Sequence, residues 1–188
     1  AADSGYAAAK RFGLKPDLLL GDLDSLDKSK LSAGELDKLE KIIVSPVKDD
    51  TDTQLAVDTA INRYFADRIV IIGGLGGRLD HTLSSVFLLE YTSEKGVECI
   101  ICDGRNRARL LTADGEPRSA CVPRGYKYLS LISLSGKCEG VSITGVFYPL
   151  HKVELTRSYS YAVSNEITSE SAAISLLKGK LLIIESRD

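Results

Sequence analysis

LLLGDLDSL, residues 18 to 26, runs from a short apolar stretch straight into two carboxylates, Asp22 and Asp24, spaced two apart. An apolar run of this length bounded by turn residues reads as a buried strand, and the two acids then sit where that strand surfaces. The pattern on either side alternates. Upstream, Asp3 or Ser4 can cap a helix that Gly13 closes, and downstream Ser32 and Glu35 match the S-x-x-E capping box of a polar helix. Ile42 to Val44 is the next strand, and Val57, Ala60, Ile61 and Tyr64 mark one apolar helical face. Arg68 to Ile72 follows as a strand, Leu79, Leu83, Val86 and Phe87 repeat the helical spacing, and Val97 to Cys102 closes the series. Strands alternating with helices from residue 3 to about 112 predict an α/β fold built on a mostly parallel sheet with crossover helices.

Residues 113 to 125, ADGEPRSACVPRG, shift to glycine, proline and charge, and short β runs follow: KYLSLISL, CEGVSITGVFY, KVELTRSYSYAV and KGKLLIIES. These read as antiparallel strands of a small all-β, sandwich-like domain. The predicted division is 1–115 for the α/β domain and 116–188 for the β domain.

Bulk composition narrows the partners. Of 188 residues, 44% are hydrophobic, enough for a real core, and a net charge of -2 with interspersed signs leaves no basic stripe for nucleic acid or an anionic membrane. No apolar run approaches the roughly 20 residues of a membrane span, and the opening AADSGYAAAKRFG lacks the layout of a secretory signal, which predicts a cytoplasmic protein. Cys99 and Cys102, three apart in a strand, point to opposite faces, and Cys121 and Cys138 are isolated, so no cysteine is assigned a function. The chain holds no methionine and opens on a helix-like segment without a strand before it, from which we expect a segment preceding residue 1.

In an open parallel sheet, ligands bind outside the carboxyl ends of the strands. GDLDS lies at such an end, as do VKDDTDTQ (47–54) after Ile42 to Val44 and GGLGGRLDH (73–81) after Ile69 to Ile72. Asp22 and Asp24, helped by Asp52, suit a hard cation such as Mg²⁺, which takes one or two carboxylates plus phosphate oxygens and water; equally, the pair can cap a turn. The glycines of 73–77 let backbone N–H groups approach an anion, and Arg78 can grip phosphate oxygens. Asp80 either orients Arg78 or caps the helix, His81 reads as a surface residue, and Lys48 reaches a phosphate or stays solvated. Acids for Mg²⁺, a phosphate-friendly loop and an arginine together are what nucleotide-dependent phosphoryl transfer requires.

Four motifs in this order, ADSG at 2–5, GDLDS at 21–25, KDDTDTQLA at 48–56 and GGLGGRLDH at 73–81, resemble those of the thiamin pyrophosphokinases, and the later GVSITGVFYPL and VSNE resemble that family's C-terminal β domain. The resemblance implies transfer of a pyrophosphoryl group from ATP to the hydroxyethyl oxygen of thiamin, giving thiamin diphosphate and AMP, with Mg²⁺ required. Carried over by motif, Asp22, Asp24 and Asp52 hold Mg²⁺ and the triphosphate, with Arg78 acting on the phosphates. Asp3, Lys48, Asp49, Thr51, Gly76, Gly77, Asp80 and His81 line the nucleotide site. Ser164 and Asn165 of VSNE match positions close to thiamin. A homodimer sharing each active site between subunits is implied as well. One of Asp22, Asp24 or Asp52 is the expected base for the hydroxyl proton.

Ser84-Ser85 stands where the family usually has an asparagine in the helix after the Asp-His pair, so a nucleotide contact is expected to differ. Three other readings compete. A pterin pyrophosphokinase shares the acidic and glycine-rich motifs, but VSNE favours thiamin. A metal-dependent glycosyltransferase explains D-x-D and leaves GGLGGRLDH and KDDTD without a purpose. A non-catalytic nucleotide- or thiamin-binding module draws only on Ser84-Ser85.

Overall fold

The structure, a computed structural model, describes residues 1–22, 39–45, 50–159 and 161–188. The Ser32–Glu35 capping box, Asp24, Lys48 and Asp49 lie outside the described residues. The chain forms two compact units, Ala1–Ala66 and Asp67–Asp188.

In the first unit, strand β1 (Leu18–Gly21) pairs in parallel with β2 (Glu40–Ile43), Leu18 opposite Glu40 and Gly21 opposite Ile43. Leu19 and Leu20 are fully buried, as an apolar run between polar neighbours requires. The first residues differ from the helix-only start expected of them. Ala2 bridges Leu20 in parallel, with the Leu20 N–H donating to the Ala1 carbonyl (2.9 Å) and the Asp3 N–H to the Leu20 carbonyl (2.8 Å). Helix α1 (Gly5–Arg11) follows; Ser4 stands at its N-cap with no side-chain cap bond, and Gly13 closes it at φ 70°. Helix α2 (Asp52–Asn62) is capped by Thr51, whose hydroxyl accepts the Gln54 N–H at 3.1 Å, and it lies against β1. Of the face predicted for α2, Val57 is buried, whereas Tyr64 falls beyond the helix end, exposed, and donates its hydroxyl to Glu40.

The second unit begins with a βαβ turn: β3 (Arg68–Ile72), α3 (Leu79–Glu94) and β4 (Glu98–Cys102), the two strands parallel with Arg68 opposite Glu98 and Ile72 opposite Cys102. Then come β5 (Asn106–Pro123), β6 (Tyr128–Ser133), β7 (Lys137–Thr144), β8 (Leu150–Thr156) and β9 (Ser171–Ser186), all antiparallel to their neighbours. The order is β3-β4-β5-β9-β7-β8, with β6 also pairing β9. The fold is therefore mixed α/β, but its described strands do not make one parallel sheet followed by a separate sandwich. The parallel pair β3-β4 belongs to the same seven-stranded sheet as the antiparallel strands. Two features join them. Asp103 accepts the N–H groups of Arg105 and Asn106 and turns the chain back from β4, and β5 is long enough to pair β9 on both sides of a register shift between Asp114 and Arg118. Residues 113–125, which composition marks as a break, thus lie largely within β5, with Gly115 (φ 88°) at the irregularity.

The core of this unit gathers Val122, Leu131, Val141, Ile143, Ile174 and Leu181, all nearly inaccessible. Helix α3 buries a different stripe from the one read in the sequence. Ser85, Leu88, Leu89 and Thr92 face inward against β4 and β5, whereas Leu79, Leu83 and Phe87 are exposed by 71%, 47% and 55%. Both sets have helical spacing, and the close approach of helix to sheet selects the one containing the small residues Ser85 and Thr92.

Candidate functional site

Two of the predicted motifs meet in the first unit. Gly21 ends β1 at φ 146°, and a Cβ added there would lie 3.2 Å from the Asp3 Cβ and 3.4 Å from its Cα. Only glycine lets ADSG and GDLDS approach this closely. Asp3 itself takes a left-handed φ of 43°, a conformation aspartate tolerates better than most residues. Asp22 follows Gly21 at the carboxyl end of β1, and Asp52 opens α2, the helix packed on that strand. Both residues are half-buried. Carboxylate oxygens are the hard donors that Mg²⁺ takes alongside water and phosphate, so the donor chemistry of these two residues suits the ion. Among the described residues, no group of three or more His, Cys, Asp or Glu side chains is arranged as a metal site.

The second unit carries the glycine-rich turn between β3 and α3. Gly73, Gly76 and Gly77 have φ of 83°, 87° and 72°, backbone that glycine alone adopts freely. Gly74 is needed for space: a Cβ there would meet Ile71 Cγ2 at 2.9 Å and the Ser85 hydroxyl oxygen at 3.2 Å. Ser85 is buried beneath the turn and packs against it, while Ser84 is half-buried. The Thr82 hydroxyl, at 3.2 Å from the carbonyls of both Gly76 and Arg78, ties the turn to the first turn of the helix.

At that junction Arg78 grips Asp80 through two bonds, Nε to Oδ1 at 3.1 Å and Nη2 to Oδ2 at 2.6 Å. Asp80 Oδ1 also accepts the His81 N–H at 2.9 Å. Asp80 therefore orients Arg78 and, from within the first turn, satisfies one of the free N–H groups of the helix start, where Arg78 at the N-cap makes no side-chain cap bond. The Arg78 guanidinium, then the His81 N–H, holds the Asp80 carboxyl down at about 2, and Asp80 in turn raises the Arg78 pKa. Both side chains are exposed, so the guanidinium is aimed while its remaining N–H donors face solvent. The turn and arginine together can receive a phosphate.

Ser164 and Asn165 stand elsewhere in the second unit. Ser164 is exposed at φ 59° and donates its N–H to the Ser130 hydroxyl at 3.0 Å. Asn165 is buried and both ends of its amide are engaged: Oδ1 accepts the N–H groups of Tyr148 and Glu166, each at 3.0 Å, and Nδ2 donates to the Tyr148 carbonyl at 2.8 Å. The segment it holds presents Phe147 and Tyr148, each 66% exposed, with rings packed edge-on at 4.8 Å. Reading single residues missed Tyr148. The signal was an adjacent aromatic pair at the end of a β run, where burial would otherwise be expected.

Comparison with known proteins covers most of the chain. Residues 1–101 match the thiamin pyrophosphokinase catalytic domain, and residues 120–181 match the thiamin pyrophosphokinase vitamin B1 binding domain. Thiamine pyrophosphokinase of Bacillus subtilis is 28% identical over 99% of this chain and 86% of its own length, and thiamin pyrophosphokinase 1 of Caenorhabditis elegans is 25% identical over 94% and 72%. The crystal structure of a thiamin pyrophosphokinase family protein from Enterococcus faecalis superposes with a TM-score of 0.85 at 30% identity, covering 100% of this chain and 87% of that one. With both domain types matched in order, this chain belongs to the thiamin pyrophosphokinase family.

Proposed function

We propose that the chain transfers the pyrophosphoryl group of ATP to the hydroxyethyl oxygen of thiamin, releasing AMP and leaving thiamin diphosphate. The observation that carries this reading is the succession of a catalytic-domain match and a vitamin B1 binding-domain match along one chain. The hydroxyl oxygen attacks the β-phosphorus, the bond from that phosphorus to the α,β-bridging oxygen breaks, and AMP departs with the electron pair. Asp22, Asp24 and Asp52 hold Mg²⁺, which when bound offsets charge on the triphosphate. One of these three carboxylates takes the hydroxyl proton.

Arg78, aimed by Asp80, stabilises charge developing on the transferred phosphates, and the N–H groups around Gly76 and Gly77 contribute to the same cradle. Asp3, Lys48, Asp49, Thr51 and His81 complete the nucleotide side. Thiamin is a cation with two aromatic rings, and an exposed tyrosine is suited to receive such a molecule by cation–π and stacking contact. We assign that role to Tyr148, beside Ser164, with Asn165 behind it. In this reading residues 1–115 act on nucleotide and metal, and 116–188 on thiamin and on dimerisation. A cytoplasmic homodimer with shared active sites is part of the proposal; the exposed Leu79, Leu83 and Phe87 support a protein partner, and among the described residues no helix is long and apolar enough to cross a membrane.

The test is AMP formation by the purified protein given ATP, Mg²⁺ and thiamin, with controls lacking thiamin or Mg²⁺. AMP that depends on both, matched by thiamin diphosphate, is the expected result. ADP as the nucleotide product, or none despite thiamin binding, would refute it.

A further inference from the structure

At the C-terminal end of α3 the second unit has a groove of about 330 Å³ between that helix, β4 and β5. It is far from the glycine-rich turn, because the 16 residues of α3 separate helix ends by roughly 24 Å. Its walls are mixed: the side chains of Leu89, Val97, Leu111, Ala120 and Ile183 form an apolar side, and polar groups that include Ser93, Glu98 and Arg109 make up a comparable share. Cys99 adds to the walls: burial pushes its thiol pKa up, so it lines the groove as a neutral group.

One cation lines this groove. It is Arg109 on β5, whose guanidinium is fixed at one end by an Nη2 bond to the Cys121 carbonyl at 2.7 Å. That bond spans the register shift of β5 between Asp114 and Arg118. Of its remaining donors, Nε–H is buried and meets no acceptor among the described residues. A carbonyl partner leaves the positive charge unbalanced, and a buried donor without an acceptor carries a free-energy cost that an acceptor entering from the groove would relieve. The acid at the rim, Glu98, is already engaged, with one carboxylate oxygen taking both Nε (2.9 Å) and Nη2 (2.8 Å) of Arg68.

We propose that this groove binds a small carboxylic acid with an aromatic or branched apolar body, the carboxylate accepting from Arg109 and the body lying on the wall formed by Leu111, Ala120 and Ile183. A charge-assisted hydrogen bond supplies direction, and apolar contact supplies area. The site is independent of nucleotide and thiamin binding, and nothing in it relies on Mg²⁺.

Saturation-transfer NMR with benzoate as the probe tests this on the intact protein, with benzyl alcohol as the neutral control of similar shape. Benzoate should bind, and benzyl alcohol should bind roughly tenfold or more weakly. Arg109→Met and the groove-filling Ala120→Phe should each weaken benzoate to a similar degree, while Arg78→Ala should leave it unchanged. Arg109→Lys keeps the charge and loses the Nε–H, and should also weaken it, which covers a failure of the methionine variant to fold. Benzoate that does not bind, that binds Arg109→Lys and Ala120→Phe as well as the parent, or that is lost in Arg78→Ala would overturn the proposal.

Discussion

Asn165 holds Tyr148 by both ends of its side-chain amide, accepting the Tyr148 N–H and donating to the Tyr148 carbonyl across 17 residues of chain. An asparagine used in this way has its oxygen and one of its amide hydrogens committed to backbone; its function is to set the segment from which the tyrosine ring projects. Asn165→Asp keeps the shape but places a carboxylate oxygen against the Tyr148 carbonyl. We expect KM for thiamin to rise roughly tenfold, the equivalent of removing one buried hydrogen bond, with KM for ATP nearly unchanged. Tyr148→Ala should raise the same constant at least as much, while Tyr148→Phe should retain most of the affinity. Steady-state kinetics with each substrate varied in turn will read the difference.

Asp80 titrates at about 2 because Arg78 and then the His81 N–H stabilise its anion. Its folded-state value is depressed, so the stability it contributes is present above the ordinary carboxylate pKa and is lost as pH falls from about 4 to about 2. Carboxyl-detected NMR should find the Asp80 midpoint near 2, and Arg78→Ala should move it up toward the ordinary aspartate value of 3.8. The Arg78–Asp80 fork should consequently be intact throughout the neutral and mildly acidic range. Loss of activity below pH 6 would then have to come from another group.

Asp22→Asn and Asp52→Asn should each lower turnover by roughly 100-fold or more, as expected when a group that holds a catalytic metal or accepts a proton is neutralised. Raising Mg²⁺ should restore part of the loss where the role is ligation and none where it is proton transfer. Turnover that survives each substitution, including Asp24→Asn, at saturating Mg²⁺ would remove both roles.

Gly74 is a packing position. Gly74→Ala pushes a methyl into Ile71 and Ser85, and should cost about 1–3 kcal/mol in urea unfolding. Ser84→Ala, on the half-buried side of the same helix turn, should stay within about 0.5 kcal/mol. Because Ser85 lies buried under Gly74, Ser85→Asn should also destabilise by overpacking.

Local sequence determined the parts that depend on local physics. Leu18–Leu20, Ile69–Ile72 and the later β runs alternate or cluster as strands, and Gly13, Thr51 and Gly73–Gly77 mark helix ends and a turn by backbone requirements that few residues satisfy. The acidic and glycine-rich motifs were legible for the same reason, since each is a short run whose spacing alone places it at a strand end. Tertiary structure decided what depends on neighbours distant in the chain. The two apolar stripes of α3 have the same period, and only packing against β4 and β5 selected Ser85, Leu88, Leu89 and Thr92 over Leu79, Leu83 and Phe87. Composition marks 113–125 as a break, yet the length of β9 opposite carries the ladder past it. The bonds that tie the Asn165 amide to the Tyr148 backbone are not legible in VSNE, because hydrogen-bond satisfaction is set by what folding brings alongside a residue.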